Sequence, residues 1–130
     1  MKKLLLLLFS VFISLSSSAD IVLYCQDEIS SGLIKENNKW KTAQFKAYRY
    51  TVKFSDDYTS LYISDGKDSF SYPCSEVFDS GIMCTNDLGY SFRYRADWQR
   101  YMYIKSTHVG YLEDNNAWSE SLSAGTCESF

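Results

Sequence analysis

The segment FRYRADWQRYMY, residues 92–103, gathers three arginines and five aromatic residues into twelve positions of a chain whose overall balance is acidic. Guanidinium groups donate through a rigid planar fork that suits carboxylate and phosphate oxygens. Exposed rings offer faces on which flat or ring-shaped ligands stack. Read as a hairpin with its turn at Asp97 and Trp98, the segment pairs Phe92 with Tyr103 and Tyr94 with Tyr101 on one face. The same register sets Arg95 opposite Arg100 on the other face, with Arg93 beside them. Cross-strand aromatic pairs contribute roughly 0.2–1 kcal/mol each, so the tyrosines are core residues before they are anything else. Two arginines directly opposed repel, and either Asp97 in the loop neutralises them or an anion from outside does. Arg95, Trp98 and Arg100 are therefore the candidate binding residues, a contact site for an anionic or sugar-bearing partner. The structural alternatives are a solvated strand face, or a Trp98 folded back as a lid over Arg100 and Tyr101.

Other catalytic chemistry has few residues to work with. His108 is the single histidine, in the context KSTHVGY, which supplies neither a nucleophile beside it nor the paired histidines of a zinc protease motif. No G-x-S-x-G elbow occurs. Sixteen acidic residues could in principle provide the two facing carboxylates of a glycosidase, but they fall in polar, turn-like contexts. The acidic clusters DGKD at residues 65–68 and EDNN at 113–116 lack the alternating oxygen ligands of a calcium loop. No cofactor and no metal is expected.

The chain opens MKKLLLLLFSVFISLSSSAD, a basic start, an apolar run over residues 4–15 and small polar residues ending at Ala19. This is the pattern of a secretory signal peptide cleaved before Asp20, leaving one domain over residues 20–130. The apolar run is shorter than the roughly 20 residues that span a bilayer, so stable membrane insertion is not expected once the signal is removed. Loss of Lys2 and Lys3 from the thirteen basic residues leaves 11 against 16 acidic ones. That balance disfavours nucleic acid as a partner.

All four cysteines, Cys25, Cys74, Cys84 and Cys127, lie in the exported part. An even number in an oxidising compartment reads as disulfides, and no C-x-x-C pair suggests zinc instead. Folding the chain at the turn signal Asp79-Ser80-Gly81 brings Cys74 opposite Cys84, which leaves Cys25 to join Cys127 near the other end of the chain.

The elements that must position these groups are strands. In YRYTVKFS, Tyr48, Tyr50, Val52 and Phe54 point to one side and Arg49, Thr51, Lys53 and Ser55 to the other, the two-residue period of a half-buried strand. SLYISD, SFSYPC, GIMCTN, GYSFRYR and RYMYIKS repeat the pattern, separated by turn signals that include DD, DGKD, DSG, NDLG and ADWQ. The expected fold is all-β, a single antiparallel meander of about eight to ten short strands closing as a small barrel or rolled sandwich. GLIKENNKWKTAQF is expected to form a hairpin about Asn37 and Asn38. DEIS reads as a helical turn, and EDNNAWSESLSAG as a long loop before a final strand TCESF.

The frame made by VLYCQDEISSGLIKENNKWKTAQFKAYRYTVKF, GIMC, FRYRADWQRYMYI and AGTCESF resembles short exported proteins of bacteria and their phages of unassigned activity. In architecture it is also similar to the small periplasmic inhibitors of c-type lysozyme, disulfide-tied antiparallel barrels that begin with Y-x-C. Here LYC places the tyrosine next to Cys25, and the family's inhibitory loop has no residue-by-residue counterpart. The missing catalytic motifs and the export signal point to a non-catalytic binding module of the periplasm or extracellular space, which the architectural resemblance extends to an inhibitor, acting on an envelope or extracellular protein or glycan. The alternative is a small hydrolase of envelope polymers.

Overall fold

Burial follows the two-residue period strand by strand. In β3 (Arg49–Phe54), Tyr50, Val52 and Phe54 are buried and Arg49, Thr51 and Lys53 exposed. The computed structural model describes residues 19–77, 79, 81–106, 110–113 and 119–129. The expected signal segment before Ala19, and His108, lie outside them.

Eight more strands accompany β3: β1 (Ile21–Glu36), β2 (Lys39–Gln44), β4 (Ser60–Ser64), β5 (Ser69–Val77), β6 (Gly81–Thr85), β7 (Ser91–Arg95), β8 (Arg100–Lys105) and β9 (Glu120–Ser129). From β3 to β9 each strand pairs antiparallel with the next. β9 returns to pair with β1, and the first half of β1 pairs with β3, so eight strands close into a barrel. β2 adds to the second half of β1 through a turn at Asn37 and Asn38. Both asparagines have positive φ, 51° and 60°, the mirror-image turn whose twist matches a two-residue hairpin. The barrel is all-β, as its alternation requires, and no helix occurs among the described residues.

Cys25 pairs with Cys127 across β1 and β9, and Cys74 with Cys84 across β5 and β6. Both pairs are disulfide-bonded as expected. Such bonds persist in an oxidising environment.

Aromatic rings fill the interior. Tyr50, Phe54, Tyr72, Phe92, Tyr101 and Tyr103 are all buried, and they meet edge-on or stacked, as in Phe92 against Tyr101 with centroids 5.3 Å apart. Each fully buried large side chain of this kind contributes about 1.5–3 kcal/mol. Their hydroxyls are paired inside the barrel, Tyr72 with Tyr103 at 2.6 Å and Tyr101 with the carboxylate of Asp27. At one end Lys105 lies over the rings of Tyr103, Tyr50 and Tyr48, 4.9, 5.4 and 5.8 Å from their centroids.

Three expectations are corrected. DEIS is not a helical turn but the irregular middle of β1, where the pairing with β9 shifts between Asp27 and Ile29. Asp27 still follows the inward period of Leu23 and Cys25, is 3% exposed and accepts from the Tyr48 amide at 3.0 Å and from the Tyr101 hydroxyl; the irregularity after it resets the phase, leaving Ile29 outside and Ser30 inside. Tyr48 does not face the core: it is 47% exposed and precedes β3, because ladder pairing with β1 stops at Gln26 opposite Arg49. The last strand starts at Glu120, six positions ahead of TCESF. Its small residues from Ser121 to Gly125 lie in the strand and not in the expected loop. A Cβ on Gly125 would stand 1.9 Å from the Gln26 carbonyl oxygen, and one on Gly32 1.9 Å from that of Glu120, so β1 and β9 approach too closely for side chains at those two positions.

Candidate functional site

The β7–β8 hairpin has the expected register. Phe92 faces Tyr103, Tyr94 faces Tyr101, and Arg95 faces Arg100. Its turn is longer than the Asp97–Trp98 corner read from sequence: residues 96–99 form it, closed by the Gln99 amide donating to the Ala96 carbonyl at 3.4 Å, with Gln99 at φ 52°. β8 is anchored beyond the turn by the Cys127 amide, which donates to the Gln99 carbonyl at 2.8 Å.

Asp97 resolves the arginine repulsion from within the chain. Arg95 donates to it twice, Nε to Oδ1 at 3.1 Å and Nη2 to Oδ2 at 2.7 Å. The same hydrogen bonds hold the Asp97 carboxyl below the usual carboxylate range and raise the Arg95 guanidinium. Held by these two bonds, Arg95 places its guanidinium carbon 4.4 Å from the centroid of the Trp98 ring, within cation–π range. Trp98 itself is 63% exposed. The indole is therefore a braced ring at a hairpin tip and not a lid over Tyr101. Arg100, opposite Arg95, is exposed and takes part in no ion pair among the described residues. Of the three residues singled out from sequence, Trp98 and Arg100 can touch a ligand directly, while Arg95 holds the ring.

The buried carboxylates have structural work. Asp27 accepts from Tyr101 and Tyr48, and Glu120 accepts from the Tyr111 amide at 3.1 Å. Asp27 lies opposite Gly125, five positions along β9 from Glu120. At about 3.3 Å per residue their backbones are roughly 16 Å apart, and each carboxylate accepts from donors of the chain itself. Asp65 builds its own turn, accepting from the amides of Lys67 and Asp68, both at 2.9 Å, which keeps its carboxyl low. Among the described residues no three His, Cys, Asp or Glu side chains are grouped to hold a metal.

Sequence reasoning missed a second feature. The outer faces of β9, β1 and β3, with the end of β4 at Ser64 and the turn residues Asp65 and Gly66, form a cleft of about 660 Å³ beside the hairpin. Tyr24, Gln26 and Glu28 carry the outward period of β1, a signal present in the sequence, but their neighbours come from the two distant strands. No family model, curated protein or solved structure matches the chain.

Proposed function

We propose that the protein is a non-catalytic binding module of the periplasm or extracellular space, with Trp98 and Arg100 touching the partner and Arg95 positioning the indole. The partner is an envelope or extracellular protein or glycan. The observation that carries this reading is the exposed Trp98 ring braced by an arginine that Asp97 holds through two hydrogen bonds. Ring and brace are held before any partner arrives, which lowers the ordering cost of association, and tryptophan and arginine are the residues that dominate contact energetics. Two disulfides suit an exported setting. An interior packed with aromatic side chains, and buried carboxylates held by internal donors, favour binding over the hydrolase alternative.

The test is affinity capture from envelope extract with the oxidised protein and two variants, Trp98→Ala and Arg100→Ala. The expected result is loss of the captured partner in both variants while each keeps its urea midpoint close to that of the parent. Capture unchanged in both variants would remove the reading. So would a Trp98→Ala variant that loses roughly 3 kcal/mol or more, the cost of emptying a packed aromatic site.

A further inference from the structure

The strand register carries the hairpin tip across the barrel wall. Arg100 is paired with Thr126, Thr126 with Gln26, and Gln26 with Arg49. None of these four side chains is buried, and they form a row across β8, β9, β1 and β3. With strands about 4.8 Å apart the row is roughly 14 Å long. Two residues along, Glu128 is paired with Tyr24 and Tyr24 with Thr51, a parallel row that carries an exposed tyrosine ring. The cleft of about 660 Å³ lies over these two rows, within the roughly 300–1,000 Å³ typical of small-molecule sites. Its floor is tied by the Cys25–Cys127 disulfide beneath Tyr24 and Gln26.

We infer that this cleft is a groove for a neutral oligosaccharide, entered from the Trp98 tip. The inference rests on the reading of that tip as a contact site and assigns it a ligand class. The lining selects the class. Planar hydrogen-bonding groups, the Arg49 guanidinium, the Gln26 amide and the Glu28 and Glu128 carboxylates, stand beside the hydroxyls of Thr51 and Thr126, so both donors and acceptors are offered to the hydroxyls of a sugar. Tyr24 offers a ring face. Glu28, Glu128 and Asp65 outnumber the single arginine of the lining, which sets the charge against a polyanion such as nucleic acid or an acidic glycan. Apart from Tyr24, the lining offers an acyl chain or an apolar peptide only the buried residues Cys25 and Tyr50. A chain of sugars would run along the row, meeting Arg49 and Gln26 in the cleft and passing Thr126 toward Arg100, its partner on β8, and the tip beyond.

The test titrates the oxidised protein with three neutral tetrasaccharides, chitotetraose, cellotetraose and maltotetraose, and with the acidic tetragalacturonate, read by calorimetry. At least one neutral tetrasaccharide is expected to bind, with tetragalacturonate at least tenfold weaker. Gln26→Ala and Arg49→Ala should each weaken binding about tenfold without moving the urea midpoint, because both side chains are exposed. Arg49→Lys should not restore it, since the planar fork and not the charge is what the site uses. Binding to none of the neutral probes, equal binding of tetragalacturonate, or full binding by the Gln26→Ala, Arg49→Ala double variant overturns the inference. The two readings separate cleanly. If Trp98→Ala and Arg100→Ala abolish binding and the double variant does not, the tip stands and the groove falls. If only the double variant loses binding, the groove stands and the tip is not its entrance.

Discussion

Removing the Tyr101 hydroxyl tests the polar centre of the barrel. Asp27 is almost completely buried and takes two hydrogen bonds, one from the Tyr101 hydroxyl and one from the Tyr48 amide. Tyr101→Phe keeps the ring packed against Phe92 and Tyr50 and removes one of the two donors to a buried carboxylate. Hydrogen bonds to charged groups contribute about 1.5–3 kcal/mol, so the substitution should cost about 2 kcal/mol. For a domain of this size that is a fall of roughly 6–12 °C in Tm. In an Asp27→Asn background the Tyr101 hydroxyl still meets an oxygen, but a neutral one, and neutral bonds contribute only about 1 kcal/mol. The cost of Tyr101→Phe should therefore drop by about 1 kcal/mol, the coupling energy that a double-mutant cycle isolates. Urea titration of the four oxidised proteins measures it. If Tyr101→Phe costs the same in both backgrounds, or less than about 0.5 kcal/mol in the parent, the Asp27 carboxylate is not held by Tyr101 and the account of the barrel's polar centre is wrong.

Three further outcomes follow from the same structure. Val52 is fully buried between Leu23 and Ile63 on the neighbouring strands; Val52→Asp forfeits roughly 1.5–3 kcal/mol of burial and adds an unpaired charge, which should abolish the cooperative urea transition, whereas exposed Thr51→Asp should leave it within about 0.5 kcal/mol. The disulfides close rings of very different size, with sequence separations of 102 and 10, so in the loop-entropy model Cys25→Ala with Cys127→Ala should cost about 4.7 kcal/mol and Cys74→Ala with Cys84→Ala about 2.7 kcal/mol; a larger loss from the second pair in urea titration would contradict the barrel closure at β1 and β9. Burial pushes the Tyr72 phenol up to about 12, and raises those of Tyr50, Tyr101 and Tyr103 as well. Because the folded chain holds protons that the unfolded chain releases near pH 10, stability is fully present below pH 10 and is lost as pH rises toward 12. The urea midpoint should stay flat to about pH 10 and fall above it, with a shallower fall in Tyr72→Phe.

Most of the strand pattern was legible because it is local. Two-residue alternation marks the inward faces of β3, β4, β7 and β8, since a pleated strand has only two sides, and Asn37-Asn38 sets its own hairpin through backbone geometry. From those local facts the register of β7 against β8 follows, and with it the opposition of Arg95 to Arg100. The disulfides were legible for a related reason, because one turn brings Cys74 to Cys84 and leaves a single pairing for the rest. What alternation cannot convey is which distant strand lies alongside. The outward Ile29 and inward Ser30 follow from the pairing shift between β1 and β9, whose partners are about a hundred residues apart, and the exposure of Tyr48 follows from where β3 stops pairing with β1. Ser121, Ser123, Ala124 and Gly125 have little strand preference of their own, and they form a strand because β1 and β8 pair with them on both sides, with room for no side chain at Gly125. The groove beside the hairpin has the same origin. Tyr24, Gln26, Arg49 and Thr126 are each unremarkable outward residues in the chain, and only closure of the barrel makes them neighbours.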